Sequence, residues 1–110
     1  MIEPASARQI IELYNKHGWV LRRVLFSSPL SPVVAELVGK TPTFRSAIDA
    51  LWFSRRSQPG CEAWELRRLS GSPFALVEVI EDGAIVEDVE NILQSVEQRM
   101  AGASKGPVSH

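Results

Sequence analysis

The span from residue 50 to residue 80 constrains the fold most, because it holds short β-prone runs divided by two tight reversals. Residues 50–56 read ALWFSRR, residues 61–69 read CEAWELRRL and residues 74–80 read FALVEVI. Branched and aromatic side chains interleaved with polar ones suit a pleated, half-buried strand. Ser57-Gln58-Pro59-Gly60 separates the first two runs and puts Pro and Gly at the central positions of a type II turn. Ser70-Gly71-Ser72-Pro73 separates the second from the third and reads as another reversal. Connections this short join antiparallel neighbours, so the span predicts a three-strand meander.

A meander needs apolar cover, and the two ends of the chain supply it as helices. Residues 4–17 carry Ile10, Leu13, Tyr14 and His17 at helical spacing, with Ile11 beside them. Pro4 suits a first turn, and Gly18 suits a left-handed stop. Ser6 and Gln9 have capping-box spacing, which would start the helix two residues later. Residues 84–100 place Ile85, Val89, Ile92, Leu93, Val96 and Met100 on one stripe. Glu87, Asp88 and Glu90 lie in the early turns of that helix and Arg99 near its end, as the helix dipole favours.

Residues 19–26 (WVLRRVLF) read as a fourth strand with apolar residues on both sides. Residues 27–44 contain Pro29, Pro32 and Pro42 and are the least regular stretch. Within them Ser31-Pro32 followed by VVAELVG reads as a cap, a short helix and a stop at Gly39. This stretch is long enough to act as a crossover or as a lid. Residues 44–49 read as a helical turn capped by Thr43. The expected architecture is α+β, with a four-stranded mainly antiparallel sheet and two long helices packed on one face. One domain spans residues 1–100, and residues 101–110 (AGASKGPVSH) read as a disordered tail.

A 110-residue chain with 45% hydrophobic and 23% charged residues can form a single core without staples. A net charge of −1 argues against a nucleic-acid-coating or membrane-adhering protein. No apolar run is long enough to span a bilayer, and no basic-then-apolar leader is visible. With a lone thiol, a cytoplasmic location is the expectation. The single Cys61 excludes an internal disulfide and a multi-cysteine zinc site. His17 and His110 leave little for a metal cluster, so neither metal nor cofactor is expected. Phosphate-loop, dinucleotide, serine-hydrolase and zinc-protease motifs are all missing from the sequence. The carboxylates between Glu78 and Glu90 lack the order of a calcium loop and are explained by helix capping. No nucleophile–base set is visible, which argues against an enzyme.

Two helices on one face would leave the other face open. Glu78 interrupts the apolar run LVEVI; if Val77 and Val79 face the helices, Glu78 faces the open side, where Arg67 or Arg55 can pair with it. The pairs Arg22-Arg23, Arg55-Arg56 and Arg67-Arg68 would each give that face one arginine. Trp19, Trp52 and Trp64 lie in the same strands. Arginine and aromatic residues on an open sheet also suit single-stranded nucleic acid. Glu62, Glu65 and Glu78 in the same meander argue against that ligand. The expectation is a non-enzymatic interaction module that homodimerises or binds a protein partner through Trp52, Trp64, Arg55, Arg67 and Glu78. The alternative is a small-molecule or anionic-ligand cleft between the sheet and residues 27–44, with Arg55, Arg67 and Trp64 as contacts.

Overall fold

A computed structural model describes residues 2–70 and 74–104. The chain runs α1 (Pro4–Lys16), β1 (Val20–Phe26), α2 (Pro32–Val38), β2 (Thr43–Arg45), β3 (Ala50–Gln58), β4 (Cys61–Arg68), β5 (Ala75–Glu81) and α3 (Val86–Ser104). The sheet has five strands in the order β2-β1-β3-β4-β5. β1, β3, β4 and β5 pair antiparallel, whereas β2 lies parallel to β1.

The meander of β3, β4 and β5 has unbroken pairing from Cys61↔Glu81 to Arg67↔Ala75 on its outer side. Its first reversal is closed by Pro59 and Gly60, and Gly60 has φ +82°, which an L side chain rarely adopts. Residues 71–73 of the second expected reversal lie outside the described residues. α2 follows its sequence signals: the Ser31 hydroxyl accepts from Val34 N–H at 3.3 Å, and Gly39 ends the helix at φ +58°.

Three expectations are corrected. The sheet is mixed and has a fifth strand, β2, in place of the helical turn expected from Thr43. A parallel neighbour needs a crossover, and residues 27–42 with α2 provide it. Pairing with β1 then secures β2 at both ends through Val24 N–H to Pro42 C=O and Ser46 N–H to Phe26 C=O, each 2.9 Å. Secondly, the long helices do not share a face. α1 and α2 cover Val24, Leu51 and Phe53, while α3 covers Ala50, Trp52, Trp64, Leu66 and Ile80. Alternation along LWF sends Leu51 and Phe53 one way and Trp52 the other, so both faces of β3 need cover. Thirdly, α3 runs on to Ser104, through four residues expected in the tail. Residues 105–110 lie outside the described residues.

The two cores are thus separated by the sheet. On the α3 side, Trp52 is fully buried, lies edge-on to Trp64 at 6.1 Å and donates its Nε1–H to Glu97 at 2.8 Å. Leu93, Val96 and Met100 of α3 close over them, whereas Ile85, which precedes the helix, stays exposed. On the other side, Tyr14 stacks on Phe53 with centroids 4.1 Å apart, and Ala7, Ile11, Val34 and Val38 fill in around Leu51. Asp49 fixes the entry to β3. Its carboxylate accepts from Ser27 N–H at 2.8 Å and from the Ser27 hydroxyl at 2.9 Å, and its carbonyl accepts from Leu69 N–H at 2.8 Å.

Candidate functional site

The five residues singled out in the sequence do not form one surface. Trp52 and Trp64 lie in the core beneath α3, with 0% and 7% exposure. They are therefore packing residues and not contacts on an open face. Glu78 sits opposite Trp64, on the α3 side, and its partner is Arg99 of α3 at 3.4 Å. Arg55 and Arg67 belong to the opposite face with Leu51 and Phe53, so neither can pair with Glu78. The reason is parity: Glu78 turns toward α3, and Val77 and Val79 turn away from it.

The expected row of three arginines is not formed either. Irregular pairing between Leu21 and Arg23 lets two successive arginines point the same way. Arg22 donates to the Ser54 hydroxyl at 3.2 Å and lies over the Trp64 ring at 4.9 Å. Arg23 pairs with Glu90 of α3 and lies over Phe44 at 5.5 Å. Both thus face α3. Arg56 and Arg68 also share that side by pairing parity, and Arg56 binds Asp82 at 2.9 Å.

Arg55 does contribute to a cleft, at the C-terminal end of α1. The cleft encloses about 320 Å³ and is lined by Leu13, Tyr14, His17, Trp19, Arg55 and Glu65. Residues 27–44, expected to form its other wall, are not among those lining residues. Arg55 lies over the Trp19 ring at 5.1 Å and donates to the His17 carbonyl at 2.8 Å. The Tyr14 hydroxyl donates to the Glu65 carboxylate. Burial first, and then the bond to Glu65 and its charge, push the Tyr14 phenol up to about 12, while Arg67 pulls the other way. Sequence reasoning missed Glu65 and Tyr14 as a pair. Alternation along AWELRR placed Glu65 on one face, but nothing local indicated that a residue 51 positions earlier would meet it.

The second region is the β5 end of the sheet, on the face that carries α1 and α2. The helices lie over β1 and β3 there, and Val77 and Val79 are each 53% exposed. β5 is also an edge strand. Its Phe74 end meets Arg68 in a closely bonded pair, Arg68 N–H to Phe74 C=O at 2.8 Å, and Asp82 N–H bonds Gly60 C=O at the other end. Along an antiparallel strand these pairs alternate. Leu76, Glu78 and Ile80 thus spend their backbone groups on β4, and Ala75, Val77, Val79 and Glu81 turn theirs outward. Ala75–Glu81 contains no Lys, no Pro and no bulge, three usual guards of an exposed edge; its charges are Glu78, paired with Arg99, and Glu81 at its end. β2, at the other edge, is only three residues long.

A second hollow, of about 270 Å³ between β1, β2 and α3, is lined by Arg23, Leu25, Phe44, Arg45, Glu90, Gln94 and Glu97. Three of its four charged side chains are engaged, Arg23 with Glu90 and Glu97 with Trp52. Among the described residues no helix is long and apolar enough to cross a membrane, and no three His, Cys, Asp or Glu residues are grouped to hold a metal ion. Cys61 is a half-buried free thiol opposite Gln58 and Glu81. Family models, curated proteins and solved structures yield no match to this chain.

Proposed function

We propose that the protein is an interaction module that accepts an extended strand on the β5 edge of its sheet. The observation that carries this reading is the coincidence, at one strand, of outward backbone groups and two half-exposed valines. An edge strand without lysine, proline or a bulge presents unpaired backbone groups as a template for another chain, and the Glu78 charge in this one is already paired with Arg99. A strand added there would gain ladder hydrogen bonds, and Val77 and Val79 would offer alternate side-chain contacts on one face. Both effects are recognition by sheet extension and need no reactive group.

The test is selection from a library of random peptides against the wild-type protein, followed by amide hydrogen exchange on the complex. Peptides that slow exchange at Val77 and Val79, and that lose affinity for a Val77→Lys/Val79→Lys variant, are the expected result. Peptides that bind both forms equally would refute the reading, and so would a failure of any chain, this one included, to protect those amides.

A second reading rests on the cleft at the end of α1. Its aromatic wall, its guanidinium and its carboxylate suit a small polar ligand better than a bare groove does. Trp19 lines it, so ligand screening by tryptophan fluorescence checks this reading; Trp19→Phe, which leaves Trp52 and Trp64 in the core, should silence a genuine signal.

A further inference from the structure

We propose that the strand received at this edge is β5 of a second copy, paired antiparallel about a two-fold axis through Glu78. The inference rests on the edge-strand reading above and adds the identity of the partner. Its basis is the chemistry of the strand itself. Leu76-Val77-Glu78-Val79-Ile80 is a palindrome of side-chain types centred on Glu78. A two-fold axis perpendicular to a sheet keeps each side chain on its own face, so it must pass through a residue and not between two. Centred on Glu78, it sets Val77 of one copy against Val79 of the other, and Leu76 against Ile80.

Each of these pairings is favourable. Val77 and Val79 are the residues whose backbone groups turn outward, so each Val77–Val79 pair exchanges both of its backbone hydrogen bonds. Their side chains meet as β-branched neighbours on the face left uncovered by α1 and α2, where each is half-exposed in one copy alone. Leu76 and Ile80 already belong to the apolar cluster under α3, so the pairing extends that cluster across the axis. At the axis two Glu78 carboxylates meet. Each is held by Arg99 of its own α3 at 3.4 Å, so two guanidinium groups accompany them and the junction is neutral. No neighbouring register does as well: an axis through Val77 sets Val79 against Ala75 and Glu78 against Leu76, and an axis through Val79 sets Glu78 against Ile80.

The register makes the experiment specific. Residues facing each other across the axis at Glu78 form the non-hydrogen-bonded kind of pair, with Cα atoms about 4.5 Å apart. Disulfides span Cα separations of about 4.4–6.8 Å, so the geometry allows one. In a Cys61→Ser background, which removes the native thiol, Glu78→Cys should form a disulfide-linked dimer on mild oxidation. Val77→Cys and Val79→Cys, tested singly, should cross-link much more slowly, because each meets a valine. Mixing those two should restore cross-linking between unlike chains. Native mass spectrometry of the unmodified protein at micromolar concentration should show a dimer. Val79→Pro removes an N–H that the single copy does not use, so it should raise the dimer dissociation constant at least about tenfold while the circular dichroism of the monomer is kept.

A dimer that cross-links best at Val77→Cys or Val79→Cys alone would overturn the proposed axis. A wild-type protein that stays monomeric, with no Glu78→Cys cross-link, would overturn the homotypic partner altogether. In that event peptides that protect Val77 and Val79 would still sustain the edge-strand reading, and their absence would remove both. Should the cysteine variants misfold, the wild-type mass and the Val79→Pro shift decide the matter without them.

Discussion

Tyr14 is the only tyrosine in the chain, so its ionisation can be followed by absorbance without assignment. Its ring stacks on Phe53 and its hydroxyl donates to Glu65. Burial and the adjacent carboxylate raise its pKa from 10.0 to about 12. At pH 11, then, about a tenth of the phenol is ionised in the folded protein, against about nine-tenths for a free one. Phenolate absorbance near 295 nm measures this directly, with far-ultraviolet circular dichroism as the check that the protein is still folded. Because the folded state holds the proton more tightly than the unfolded chain does, the linked stabilisation is complete below pH 10 and is lost as pH rises toward 12. Glu65→Gln should lower the midpoint but leave it above 10, since burial is the largest cause and persists in that variant. A midpoint at the free-phenol value in a folded protein, or no change with Glu65→Gln, would refute the placement of Tyr14 against Glu65.

Further expectations concern the core under α3, the entry to β3 and the turn between β3 and β4. Trp52→Ala should cost about 3–5 kcal/mol by chemical denaturation, through the cavity left under α3 and the loss of the bond to Glu97; Trp52→Arg should fail to give a folded monomer, whereas a folded, soluble Trp52→Arg protein would contradict its burial. Asp49→Ala should cost about 1–3 kcal/mol, because the Ser27 amide and hydroxyl lose their acceptor. Burial pushes the Asp49 carboxyl up, the Ser27 hydrogen bonds pull it down, and the net shift is below its ordinary 3.8. Its stabilisation is therefore present above that value and disappears as pH falls through the lower folded one, so the acid limb of a thermal-stability profile should flatten in Asp49→Asn. Gly60→Ala should lower stability by about 1–2 kcal/mol, because Ala at φ +82° is strained although no atom crowds its Cβ; an unchanged melting temperature would count against that turn conformation.

Much of the chain's local organisation was legible beforehand. The alternation in CEAWELRRL, the Pro59-Gly60 reversal, the Ser31 cap and the Gly39 stop each rest on neighbours within a few residues, and each element formed where those signals lie. β2 escaped notice because Thr43–Arg45 is too short to show a period, and it is a strand only by virtue of its bonds to β1. The candidate site was less legible still. Arg55 was identified and lies in the cleft, but Trp52 and Trp64 proved to be core, and Glu78 found Arg99 in place of Arg55 or Arg67.

By itself the sequence determined that Val77 and Val79 share a side and that Glu78 lies opposite, because strand alternation is a local property of the backbone. Which of those sides a helix would cover was decided only by tertiary structure. The two long helices each bury one stripe, and LWF presents large apolar groups to both sides of β3. Placing α1 and α3 on opposite faces removes both sets from water, whereas placing them together would have left Trp52 or Phe53 exposed. That distribution turned Glu78 beneath the rim of α3 and left Val77 and Val79 exposed beside an edge that no other described strand pairs with, where the proposed partner would bind.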